Sequence, residues 1–210
     1  MRKIWLTLAM LGLVASLSGG LSSARGADGP AAPGPDDRVL GKADAPVTII
    51  EYASFTCPHC AEFDRVTLPE IKKNWIDTGK AKLVYRDFPL DGLALKASVM
   101  TRCAAPDRFY SYVDTLFQSQ DNWARSRDPE DALSHIAKLG GMSDDRFKSC
   151  MKDDKLSDSI ADGAMKAQKD YGVNSTPTFF VNGTKVVGAL PYPDFEKALN
   201  AALAAAPAKG

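Results

Sequence analysis

The sequence predicts an α/β domain built as strand, helix, strand, then a long all-helical insertion, then a hairpin and a closing helix. Three observations carry this. Residues 47–53 and 81–87 are β-rich runs on either side of a segment with helical apolar spacing. Residues 91–172 show helical periods and cap signals. Residues 178–181 and 185–187 flank Asn182-Gly183, a strong hairpin signal.

Composition narrows the function. The chain has 210 residues, 45% hydrophobic and 25% charged, enough for one domain with a sizeable core. Lys plus Arg and Asp plus Glu number 26 each, so no basic excess points to nucleic acid or an acidic membrane surface. Arg2 and Lys3, the apolar run 4–17 and the small residues up to Ala24 have the layout of a cleavable signal peptide, residues 1–24. The run is short for a membrane span. Export would put the four cysteines where disulfides persist. Residues 25–38 offer almost nothing to bury and are expected to be a disordered leader, ahead of a domain spanning 39–210.

Taken in order, residues 47–53 are nearly continuously apolar, which suits a strand buried on both faces in mid-sheet; Glu51 is the odd member. From Pro58 the period changes. Phe63, Val66, Leu68, Ile71 and Trp75 mark one helical face, Pro58 suits a first turn, Pro69 should kink the helix and Thr78-Gly79 ends it. The strand at 81–87 completes a right-handed parallel unit. In the insertion, Leu95, Val99 and Cys103 share a face. Asp128-Pro129 starts one helix and Gly140-Gly141 stops it; Ser143 caps another bearing Phe147 and Cys150; a further helix runs from about 156 to 171. Residues 192–206 close the domain with Phe195, Leu199 and Leu203 on one side.

The chemistry sits in Cys57-Pro58-His59-Cys60. Two thiols at this spacing make a redox pair or half a metal site. Cys57 falls at the mouth of a helix, whose N–H groups and dipole favour a thiolate, and the His59 imidazole can add charge or a hydrogen bond. Cys60, one turn in, would be the resolving thiol. A zinc site would need a second ligand pair, whereas Cys103 and Cys150 are single cysteines on apolar faces without a nearby His. Haem attachment would need His where Ala61 stands. A purely structural disulfide stays open, although so short a loop closes little chain entropy. The redox pair is the preferred reading, with no metal and no organic cofactor.

Cys57 to Cys60 after a hydrophobic strand, an insertion of this length, and Thr176-Pro177 before the strand and Asn182-Gly183 together resemble the DsbA-like branch of the thioredoxin fold, over about residues 39–206. The resemblance implies a thioredoxin-like fold with a helical insertion. It implies a cis peptide before Pro177, set against the dithiol, and backbone hydrogen bonds from Thr176 to a substrate peptide. The plainer alternative for Pro177 is a strand-start proline. Glu51, six residues before Cys57, stands where this family keeps a buried acid. Desolvation would raise its pKa and let it pass protons to and from Cys60, unless it lies at a sheet edge open to water. Asp64, one turn after Cys60, is expected on a solvated helix face. Cys103 and Cys150 are expected to pair and staple the insertion, because free thiols rarely survive export; two buried free thiols are the alternative.

The function so implied is a periplasmic thiol:disulfide oxidoreductase, an oxidase that donates the Cys57–Cys60 disulfide to exported proteins with free cysteines. A DsbB-like membrane partner would re-oxidise it. A monomer is expected. The alternative is an isomerase or reductase working with the dithiol; Thr176, where the enterobacterial oxidase has Val, is shared with isomerases. Isomerases, however, resemble dimers built through a separate N-terminal domain, for which residues 25–38 are too short. A non-catalytic binding module is the third reading.

Overall fold

The computed structural model describes residues 29–30, 32–34 and 37–207; the expected signal peptide and residues 25–28 lie outside the described residues. Five strands form one sheet: β1 (Val39–Gly41), β2 (Val47–Ala53), β3 (Ala81–Asp87), β4 (Thr178–Val181) and β5 (Thr184–Val187), in the order β1-β3-β2-β4-β5. The β2–β3 pair is parallel and the other pairs are antiparallel. β2 is thus the middle strand, which explains its unbroken apolar run. Asn182 fixes the lower end of the sheet. Its backbone and Gly183 both take positive φ in the β4–β5 turn, and its side-chain carbonyl accepts the Thr48 N–H at 2.8 Å.

The helices are α1 (Pro58–Glu62), α2 (Leu68–Ile71), α3 (Gly92–Arg102), α4 (Phe109–Gln118), α5 (Gln120–Ala124), α6 (Pro129–Leu139), α7 (Asp144–Cys150), α8 (Asp154–Tyr171) and α9 (Tyr192–Ala205). Asp128 and Ser143 cap α6 and α7 with side-chain oxygens, and Gly172 ends α8 in the left-handed conformation. Phe63, Ile71, Trp75, Phe195 and Leu199 pack on one face of the sheet; Tyr52, Phe180 and Ala167 of α8 cover the other. The insertion has its own core of Phe109, Leu116, Phe117 and Trp123, continuous with Phe55, Cys57 and Cys60. Among the described residues no helix is long and apolar enough to cross a membrane.

Two expectations need correction. The single kinked helix after Pro58 is instead α1 and α2 separated by a π turn, Phe63–Thr67, and followed by another, Lys72–Ile76. A π turn holds an extra residue and shifts the phase of all that follows. Hence Val66, expected on the apolar face, is 65% exposed, and Asp64, expected in solvent, is 5% exposed. The second concerns the leader. Chain contacts begin before residue 39: the Arg86 guanidinium donates to both Asp37 carboxylate oxygens, at 3.1 and 2.7 Å, and the Tyr110 hydroxyl donates to the Arg38 carbonyl at 2.8 Å. β1, which has no apolar pattern of its own, is held by these contacts and by β3.

Cys103, just after α3, is bonded to Cys150 at the end of α7, with Cα atoms 6.2 Å apart and a separation of 47 positions in sequence. Val99 and Ile160 pack around it. Closing a loop of that length restricts the unfolded chain. Replacing both cysteines by Ala should lower the unfolding free energy by roughly 2–4 kcal/mol. Denaturant melts check this; an unchanged midpoint would show that the staple adds nothing.

Candidate active site

Cys57 is the N-cap of α1 and Pro58 its first residue, where a missing N–H loses no helical hydrogen bond. The Cys57 N–H donates to the Ser54 carbonyl at 3.0 Å and its carbonyl accepts from the Ala61 N–H at 3.2 Å. Across from it, the Thr176–Pro177 peptide is cis. β4 begins at Thr178, opposite Tyr52 of β2, so strand pairing delivers this peptide to the dithiol. Cys57 Sγ lies 3.3 Å from the Thr176 carbonyl, an acceptor for its thiol hydrogen. The Thr176 hydroxyl is buried and meets no other partner among the described residues, which leaves its hydrogen for a thiolate.

The two sulfurs are free thiols with opposite acidities. The Cys57 thiol is held down at about 5, first by a hydrogen bond from the Cys60 thiol, then by the Thr176 hydroxyl and the backbone N–H groups of Cys60 and His59, against the opposing effect of burial. Cys60 is fully buried, and that burial, with the neighbouring Cys57 sulfur, pushes its thiol well up. One thiol is therefore nucleophile and good leaving group at neutral pH while the other keeps its proton.

The other expected site residues fall into place unequally. His59 sits in the first helical turn with its side chain 72% exposed, its Nδ1 3.5 Å from Glu62 rather than against the sulfur. What it gives Cys57 is a backbone N–H, so the expected role for its ring is not seen in this dithiol form. Glu51 lies in the central strand between Tyr85 and Phe179, not at an edge. Burial, then the charges of Asp64 and Cys57, raise its carboxyl well above the usual range. Among the described residues no three metal-ligating side chains converge.

The sequence reading missed the polar support around this core. Asp64, turned inward by the π turn, is pushed up to about 7 by burial and by Asp114; Lys72 and the Gln118 amide, 3.3 Å from its Oδ1, oppose this. Lys72 Nζ lies 3.0 Å from both Asp114 oxygens. Thr56 donates to Asp91, the N-cap of α3, at 2.7 Å. Gln120 of α5 reaches the carbonyls of Phe55 and Cys57. Asp91 carried a sequence signal, since an Asp before Gly92 and an apolar helical pattern reads as a cap. A lone Gln or Lys on an amphipathic helix carries none.

Asp64 supplies a test. The folded protein holds its proton more tightly than the unfolded chain, so its ionisation removes stability as pH rises from its ordinary 3.8 to about 7. Asp64→Asn should therefore gain on the wild type across that window and hold a constant lead above it. Urea melts at acid, intermediate and alkaline pH measure this; a difference independent of pH would place Asp64 in water.

Comparison with known proteins agrees with this geometry. A family model described as Thioredoxin matches residues 34–201. A Rickettsia bellii protein named "Putative protein-disulfide oxidoreductase" is 35% identical over 151 residues, 71% of this chain and 58% of that protein, so the chain spans little more than half of that relative's length. The Bacillus anthracis "Probable disulfide bond formation protein D" is 31% identical over 163 residues, 75% of this chain and 72% of that one. The crystal structure of Wolbachia pipientis alpha-DsbA1 superposes with a TM-score of 0.76 at 33% identity, over 82% of this chain and 93% of that one. The chain belongs to the thioredoxin family and, within it, to the DsbA-like branch.

Proposed function

We propose that this chain is a protein thiol:disulfide oxidoreductase acting as an oxidase on exported proteins in the periplasm. The observation that carries the reading is the split between the two thiols: Cys57 down to about 5, Cys60 well up. A reduced form stabilised as a thiolate makes the corresponding disulfide more oxidising. The apolar segment at 4–17 with Arg2 and Lys3 before it supports export.

In the forward reaction a substrate thiolate attacks Cys57 Sγ of the Cys57–Cys60 disulfide. The new bond joins substrate sulfur to Cys57, and Cys60 leaves with the electron pair. Its high basicity draws a proton, for which Glu51 is the nearby buried acid. A second substrate thiolate then attacks the bonded substrate sulfur. The substrate disulfide forms and Cys57 departs as the stabilised thiolate. Two electrons pass to the dithiol, and a membrane oxidase of the DsbB type would remove them. Thr176, held in place by the cis peptide to Pro177, offers its backbone beside Cys57, on which an extended substrate segment can align. Pro58 starts the helix directly after Cys57 at no loss of a helical hydrogen bond.

A second reading, isomerase or reductase, has Thr176 in its favour, because Thr before the cis proline is what isomerases of this fold share, where the enterobacterial oxidase has Val. Reduced unfolded ribonuclease given to the oxidised protein, and scrambled ribonuclease given to the dithiol form, separate the two. Recovery of ribonuclease activity with the first substrate is expected, together with its loss in Cys57→Ser. Activity on scrambled ribonuclease alone would replace oxidase by isomerase. Full activity in Cys57→Ser would leave only a binding module.

A further inference from the structure

Gln120 is buried at the start of α5, and its side-chain amide donates to the carbonyls of Phe55 at 2.8 Å and Cys57 at 2.9 Å. An amide nitrogen has two hydrogens, so one planar group satisfies both acceptors. The two carbonyls flank Thr56, the last residue before the dithiol. The Cys57 carbonyl also accepts the first helical hydrogen bond, from Ala61 at 3.2 Å. Both of its lone pairs are therefore engaged, and its direction is set from two sides. That direction fixes the Cys57 backbone at φ −78° and ψ 118°, and with it how Sγ faces the N–H groups that follow.

A space-filling role does not require this residue. A Met would occupy similar volume without the desolvation penalty of a buried amide. Nor does α5 need Gln120 to hold its place, because the Trp123 indole N–H donates to the Leu116 carbonyl at 2.8 Å and its ring is fully buried. We propose that Gln120 is a positioning residue of the dithiol site: an amide lent by the helical insertion that holds the Cys57 backbone where its sulfur meets the helix-start N–H groups. The insertion then does more than cover the site; it sets the reactivity of Cys57. This inference rests on the redox reading of the dithiol.

The test follows thiolate ultraviolet absorbance against pH in the reduced wild type, Gln120→Met, Gln120→Asn and Trp123→Phe. Gln120→Met removes both donors. Gln120→Asn keeps an amide too short to reach both carbonyls. Trp123→Phe loosens the same helix without touching the active-site loop. The acid dissociation constant of Cys57 should fall roughly tenfold or more in Gln120→Met and by less in Gln120→Asn. Trp123→Phe should melt earlier yet titrate as the wild type does. An unchanged constant in Gln120→Met, or in Gln120→Asn should the Met variant not fold, overturns the proposal. So does an equal fall in Trp123→Phe, which would make the effect one of general loosening. A wild type that titrates like an ordinary cysteine defeats the redox reading itself, and that result is visible without any variant.

Discussion

The structure depends on the unequal solvation of two sulfurs three positions apart on one helix turn. Cys57, at the helix mouth, faces N–H groups, a thiol hydrogen and the Thr176 hydroxyl; Cys60, one turn deeper, faces a hydrocarbon core. A helix start concentrates unpaired donors in its first turn, and burial penalises charge without regard to sign. The same few ångströms therefore make one thiol acidic and the other basic. Much of the surrounding fold can be understood as what it takes to hold that contrast. A central strand aims the loop, a second strand brings the cis peptide opposite, and the insertion roofs Cys60 from water.

Burial of this kind brings acids into contact with apolar surroundings as well. Glu51 and Asp64 are both buried, and after burial itself the Asp64 charge raises the proton affinity of Glu51. Asp64 accepts from the Gln118 amide and feels the opposing charges of the half-exposed Lys72–Asp114 ion pair. A reaction that changes the charge on Cys60 needs groups of this kind, because a thiolate formed in a dry core must be neutralised there.

Much of this was legible in the sequence. Val47–Ala53 announced a central strand because nothing in it could face water, and Asn182-Gly183 announced the hairpin because few other pairs accept positive φ twice. Cys57-Pro58-His59-Cys60 announced a helix start through its proline. The polar supports were not legible. Asp64 and Gln120 lie on helices whose apolar period assigns polar residues to solvent, and only a π turn and a tertiary contact bring them inward. His59 misled in the opposite way: adjacency in sequence suggested contact with the sulfur, but the second position of a helix projects its side chain outward. Asp37 was hidden because its partner Arg86 is 49 positions away.

The most direct measurement of the central contrast is a cysteine-resolved one: the Cβ chemical shifts of Cys57 and Cys60 in the reduced protein, followed by NMR from acid to alkaline pH. Cys57 should change near pH 5 and Cys60 should hold its proton well past the range of an ordinary thiol. Two sulfurs titrating together at about 8.5 would contradict the account, for they would then share one environment.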